Sequence, residues 1–163
     1  DPSRFLPGAP PPDRSPIRHA CDALVDLVAS FTPDAVVVEL AGGLHVPMPG
    51  GTWQAAWIDA LAHDSRLGDL HVLVVGRLGL GTLNHTRSTI DALRSLGHDP
   101  IGFVLSAAEH PDPSASSNAA VLAHATACPH LASLPPGTTT LDAAGRDAIV
   151  TALGLRPRGV GTP

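Results

Sequence analysis

Three glycine- or proline-bearing loops hold the residues best suited to chemistry in this 163-residue chain. The first, Val38-Glu39-Leu40-Ala41-Gly42-Gly43, closes an apolar run with a carboxylate and two glycines. A carboxylate so placed can hold magnesium on a nucleotide's phosphates, because that ion prefers oxygen and keeps several waters. The glycines let the backbone bend close to a ligand; the same residues also suit a plain turn capped by Glu39. The second, Gly76-Arg77-Leu78-Gly79-Leu80-Gly81-Thr82-Leu83-Asn84-His85, runs from an apolar segment into a helical pattern. Free N–H groups at a helix start make an anion site for phosphate or carboxylate. The alternative is an ordinary strand-to-helix turn with Thr82 as N-cap. The third, Leu134-Pro135-Pro136-Gly137, is stiff enough for its backbone to hold a flat ring, or simply to turn the chain.

Other catalytic patterns are missing. All ten basic residues are Arg and there is no Lys, so a mechanism that needs an ammonium group must take it from another chain or segment. Neither GxxxxGK[ST] nor GxGxxG with its acidic partner occurs. His19, His45, His63, His71, His85, His98, His110, His124 and His130 form no HxH or HExxH and no Cys/His set with metal-ligand spacing, which predicts surface or cap positions rather than a metal site. There is no GxSxG elbow for a hydrolase. Cys21 and Cys128 lack metal or redox spacing and are expected as reduced core residues.

Composition narrows the classes further. A hydrophobic share of 44% is enough for a core, while 3% aromatic residues, no Tyr and a net charge of -5 argue against nucleic acid. The longest apolar stretches, such as Leu70 to Gly76, fall well short of the roughly 20 residues of a membrane span, and no signal-peptide pattern opens the chain. A soluble cytoplasmic protein with a small-molecule ligand is expected. Because the chain opens on Asp1 and not Met, it is expected to be processed or cut from something longer.

The elements that must position these loops alternate. Residues 1–14, crowded with Pro and Gly, read as an extended lead-in. Ser15 as N-cap and Pro16 at the first helical position open an amphipathic helix to about Ser30. Ala35 to Leu40 reads as a central parallel strand buried on both faces. Then follow a helix at Trp53 to Ala62, a strand at Leu70 to Gly76, and a helix with Leu83, Ile90, Leu93 and Leu96 on one face and Gly97 as its stop. A strand at Ile101 to Leu105, a polar loop at His110 to Ser117, a helix near Asn118 to Thr126, a strand near Leu131 to Leu134 and a helix near Ala143 to Leu153 complete a single α/β domain over 15–155, with a flexible tail at 156–163. Alternation of this kind predicts a three-layer sandwich on a mostly parallel sheet, with its ligand crevice beyond the carboxyl ends of the strands.

Taken in order, the loops resemble dethiobiotin synthetase, a P-loop NTPase-like fold. That family has a Ser-Pro before a helix, a strand ending Val-Glu-Gly-Ala-Gly-Gly, a strand leading into Gly-Leu-Gly-Thr-Ile-Asn-His-Thr, and a Leu-Pro loop. Here these are Ser15-Pro16, Val38 to Gly43, Gly79-Leu80-Gly81-Thr82-Leu83-Asn84-His85-Thr86 and Leu134-Pro135, so the match runs from about Phe5 to the last helix. The resemblance implies an ATP- and magnesium-dependent carboligase of biotin synthesis. It makes dethiobiotin from 7,8-diaminononanoate and carbon dioxide by forming a carbamate, phosphorylating it and closing the ureido ring with the second amine. It implies Glu39 as magnesium ligand and the amides of Gly81, Thr82, Leu83 and Asn84 around the substrate carboxylate, across a homodimer interface. Glu39, Ala41, Gly42, Ser106, Pro135, Pro136, Gly137 and Asp142 would lie on the ATP.

Three departures accompany it. The family's phosphate loop, catalytic Lys and a further magnesium-binding Asp belong to an N-terminal segment this sequence does not contain. No catalytic residue is therefore assigned in this chain, and no ATP turnover is expected without that segment or a second chain supplying it. The Gly after the family's Glu is Leu40, which leaves the backbone there less free. The family's adenine-reading Asn-Asp falls at Ser106-Ala107, and Ser cannot offer Asn's donor-plus-acceptor pair. The leading expectation is the larger fragment of a working synthetase, with exposed sheet edges when alone. Its competitors are a non-catalytic relative kept as a binding or assembly module, and another P-loop enzyme such as a cobyrinate amidating enzyme.

Overall fold

The computed structural model describes residues 2–107, 113 and 115–155. The expected tail at 156–163, and His110 with most of the loop that follows it, lie outside these residues. Contacts divide the chain at Leu70–His71 into two compact units.

In the first unit the lead-in is not extended throughout: Pro2–Phe5 form a turn of 3-10 helix, and the Phe5 ring packs on Trp53 with centroids 4.0 Å apart. Helix α1 spans Ser15–Phe31. Its start departs from expectation, because Arg14 takes the N-cap position and Ser15 is already helical. The capping carboxylate comes from one residue further upstream. Asp13 accepts from the Ser15 amide at 2.8 Å and from its hydroxyl at 2.7 Å, which holds its pKa below the ordinary carboxylate value. Strands β1, Pro47–Met48, and β2, Thr52–Trp53, pair antiparallel. Between them Gly50 sits at φ 80°, where a Cβ would strike the carbonyl of Asp13. Helix α2 spans Gln54–His63. The two helices meet through Ile17, Cys21 and Leu61, with Leu24, Trp57 and Leu67 packed around them.

The central strand expected over Ala35 to Leu40 does not form. These residues pair with no strand, and Val36, Val37 and Val38 face solvent, Val37 being 93% exposed. A strand exists only through its ladder, and β1 and β2, the described strands of this unit, pair only with each other.

The second unit repeats strand and helix: β3 (Leu73–Leu78), α3 (Thr82–Ser95), β4 (Gly102–Ala107), α4 (Ala115–Thr126), β5 (His130–Leu134) and α5 (Ala143–Ala152). The strands form one parallel sheet in the order β3-β4-β5. Gly76 lies beside Leu105, and a Cβ on it would come within 2.6 Å of the Thr86 hydroxyl of α3. Val104 lies beside Ala132, whose methyl meets Gly145 of α5. Successive side chains alternate between faces, so α3 and α5 cover opposite sides and the unit has three layers. Phe103, Ile90, Leu93, Leu105, Leu122 and Cys128 are its fully buried centre. On α3 the expected face is only half realised, since Leu83 and Leu96 stay exposed, and Gly97 at φ 88° ends the helix as expected. The result is an α/β fold with a parallel sheet, of the P-loop NTPase-like kind.

Candidate functional site

Parallel strands put all their carboxyl ends at one edge, and there the second unit gathers most of the expected ligand residues. Beyond β3 the chain turns through Gly79 and Gly81, the latter at φ 89° as N-cap of α3. Thr82 does not cap. It is buried in the first turn, its hydroxyl 3.1 Å from that of Thr86, because the glycine supplies the left-handed geometry that a capping Thr would resist. The Thr82 amide is taken by the Gly79 carbonyl at 3.1 Å. No side chain caps the helix, so the amides of Leu83 and Asn84 stand at its open, positive end. His85 folds back so that its ring lies within 3.4 Å of where a Gly81 Cβ would stand. A residue larger than glycine would therefore crowd this imidazole as well as strain the backbone.

Ser106, near the end of β4, lies in register with Arg77 on one side and Leu134 on the other. The sheet thereby brings Ser106 next to the loop Pro135-Pro136-Gly137. That loop is a turn, closed by the Thr138 amide and hydroxyl donating to the Pro135 carbonyl at 3.3 and 2.8 Å, with Gly137 at φ 70°. Asp142 has structural work of its own: it caps α5, accepting from the Gly145 amide at 2.8 Å.

Glu39, Ala41 and Gly42 belong to the first unit. Glu39 is exposed on the unpaired segment, and Gly42 turns at φ 74°. Gln54, at the start of α2, is 2% exposed and donates from Nε2 to the carbonyls of Gly42 and Gly43 at 3.3 and 3.2 Å. Motif reading missed it, and the signal was slight: one amide among the apolar residues Trp53, Ala55, Ala56 and Trp57. Residues 38–41, α1 and α2 also line a solvent-open cavity of about 240 Å³, with Leu24, Leu40, Met48 and Trp57 among its walls. Cys21 lines it, its thiol pushed above its ordinary pKa by burial and the nearby Asp64 charge. The cavity walls are apolar apart from Glu39.

No group of three or more potential metal ligands occurs among the described residues. A single exposed carboxylate still fits a magnesium ion carried in on nucleotide phosphates, since that ion commonly takes one or two protein carboxylates and keeps its waters.

A family model described as an AAA domain matches residues 18–143. An ATP-dependent dethiobiotin synthetase BioD of Anaeromyxobacter dehalogenans (strain 2CP-1) is 45% identical over 102 residues, 62% of this chain and 43% of that protein. The synthetase of that name from Anaeromyxobacter sp. (strain Fw109-5) is 44% identical over 115 residues, covering 69% and 48% respectively. One from Streptomyces coelicolor is 37% identical over 136 residues, covering 80% and 53%. The chain thus spans about half the length of the curated relatives it matches.

Proposed function

The chain belongs to the AAA domain family, among its dethiobiotin synthetases, and from that premise we propose that it is the part of such a ligase that binds the substrate carboxylate and a magnesium nucleotide, without turning over ATP by itself. The observation that carries this reading is the β3–α3 turn, where the open helix start offers the Leu83 and Asn84 amides to an anion. Gly81 gives the turn its shape, and Thr82 anchors it inward through Thr86. The first unit offers a nucleotide Glu39 as the carboxylate for the metal, with Ala41 and Gly42 beside it. The second unit by itself offers Ser106, Pro135, Pro136 and Gly137 to an adenine, and less directly Asp142, whose carboxylate is already capping α5. Magnesium would neutralise part of the triphosphate charge; the residues of this chain bind and orient. With no Lys in the sequence, these residues do not supply the ammonium group that cradles the phosphates in phosphoryl transfer.

Calorimetric titration tests this directly. The chain is expected to bind 7,8-diaminononanoate, and its methyl ester about tenfold or more weakly, because the ester removes the charge the helix start holds. Equal affinity for acid and ester would overturn the assignment. No phosphate should be released from magnesium ATP.

The high identity to proteins named ATP-dependent dethiobiotin synthetase favours a second reading, in which this chain works within a whole ligase that forms the ureido ring. Supplying a segment with GxxxxGK[ST] should then give dethiobiotin, and Glu39→Gln should abolish it. We also assign it to the cytoplasm as a homodimer. No helix among the described residues is long and apolar enough to cross a membrane, and sedimentation would test the dimer.

A further inference from the structure

The starts of α2 and α3 have the same backbone chemistry and opposite use. At α3 the Thr82 amide is taken by the Gly79 carbonyl, and those of Leu83 and Asn84 stay open. At α2 the loop ahead closes them: Gln54 N donates to the Val46 carbonyl at 3.0 Å and Ala55 N to that of Leu44 at 3.1 Å. The loop is also tied within itself, Val46 N donating to Gly43 O at 3.0 Å. The Gln54 side chain adds the remaining stitches, its one amide nitrogen reaching two successive carbonyls of the diglycine turn. Its orientation is fixed by chemistry, since an amide oxygen facing two carbonyl oxygens would be repelled.

This arrangement leaves Gln54 Oε1 buried with no partner among the described residues. A Met or Leu would fill similar space and leave no acceptor stranded. Buried unpaired polar atoms are few in native folds and call for a reason. The two bonds to Gly42 and Gly43 supply one.

Resting on the reading of Glu39 as the carboxylate for a magnesium nucleotide, we propose that Gln54 is the positioning residue of that loop. By holding both glycine carbonyls, it fixes the turn three residues beyond Glu39 and so limits where that carboxylate can reach. Gly42 can serve here because its φ of 74° suits glycine, and a Cβ would come to 3.0 Å from a Val46 methyl.

The test compares the chain with Gln54→Met, which keeps the side-chain length and removes the donor, using amide hydrogen exchange and titration with magnesium ATP. The Gly43–Val46 amides are expected to exchange about tenfold faster in the variant, the loss of roughly one hydrogen bond, while those of β4 stay unchanged. Nucleotide affinity is expected to fall by a similar factor, with affinity for the diamino acid unaltered. Unchanged exchange in the turn, or a loosened turn with unchanged nucleotide affinity, overturns the proposal. If the unaltered chain binds no magnesium ATP, the reading of Glu39 fails, and the exchange rates then decide separately whether Gln54 holds the turn. Should Gln54→Met not fold, NMR of the unaltered chain decides: its Gln54 side-chain amide protons must exchange far more slowly than a free primary amide, and rapid exchange defeats the idea.

Discussion

The apolar runs at Val36–Val38 and Leu73–Val75 are made of nearly the same residues and end in different states. The second is part of β3, bonded residue by residue to β4 from Leu73↔Gly102 to Leu78↔Ala107. The first is unpaired and exposed, Val37 most of all. The difference lies in what flanks them. β3 feeds α3, whose Thr86, Ile90 and Leu93 cover the sheet before β4 returns alongside. Val36–Val38 lead into a diglycine turn and a short hairpin that pairs with itself. A β-branched run is thus a capacity for pairing, and even in the ladder burial depends on the face, Val74 being buried and Val75 66% exposed.

The sharpest way to break this contrast is to empty the core of the paired sheet. Phe103 is fully buried near the start of β4, and Phe103→Ala should cost about 3–5 kcal/mol in denaturant unfolding. A loss under about 1 kcal/mol would mean the sheet is packed no better than the unpaired run. Next comes the contact between β3 and α3. Gly76→Ala places a methyl within 2.6 Å of the Thr86 hydroxyl and 3.1 Å of a Leu105 methyl, so the helix must shift, at a cost of about 1–3 kcal/mol. Gly68→Ala, which meets nothing within 4 Å but sits at φ 78°, is the control for backbone strain alone.

These contrasts also explain how far the sequence could be read. The order β3-α3-β4-α4-β5-α5 was legible because every strand there is followed by a helix able to cover it, and the glycine turn of the β3–α3 loop announces itself in Gly79 and Gly81. The residues proposed for binding lie along that edge by the same rule. What could not be read depended on distant partners. Ser15 looked like the cap, but Asp13, two residues earlier, does the capping. Thr82 also looked like a cap, yet its hydroxyl is spent inward on Thr86. Gln54 meets Gly42 and Gly43 across eleven or twelve residues of loop, a pairing that no local spacing encodes.

Acid should weaken the first unit through one identifiable contact. Arg66 donates to Asp64 at 2.6 and 2.8 Å and also reaches Asp22 of α1 at 2.9 Å. Its hydrogen bonds lower the Asp64 pKa from 3.8 to about 2. The folded pKa lies below the unfolded one, so this contribution is complete above pH 3.8 and is lost as the pH falls through about 2. Arg66→Met should therefore flatten the acid limb of a stability-against-pH curve over that window. The effect is small because the Arg66 side of the pair is half exposed and solvent-screened. An unaltered limb would mean the pair contributes nothing.

The smallest expected effect is the most discriminating. Val37 carries the same side chain as the buried Val74 of β3 but is 93% exposed. Val37→Ser should change stability by less than about 0.5 kcal/mol, the usual range for a surface position, while Val74→Ser should cost several times more through lost burial and a stranded hydroxyl. A Val37→Ser loss above about 1 kcal/mol would place this side chain in a protected environment in solution. It would then have a partner strand, and the two valine runs would differ only in which strand each one meets. Repeating the measurement over a range of protein concentrations identifies that partner: a second copy of this chain makes the loss grow with concentration, whereas pairing within one chain leaves it constant.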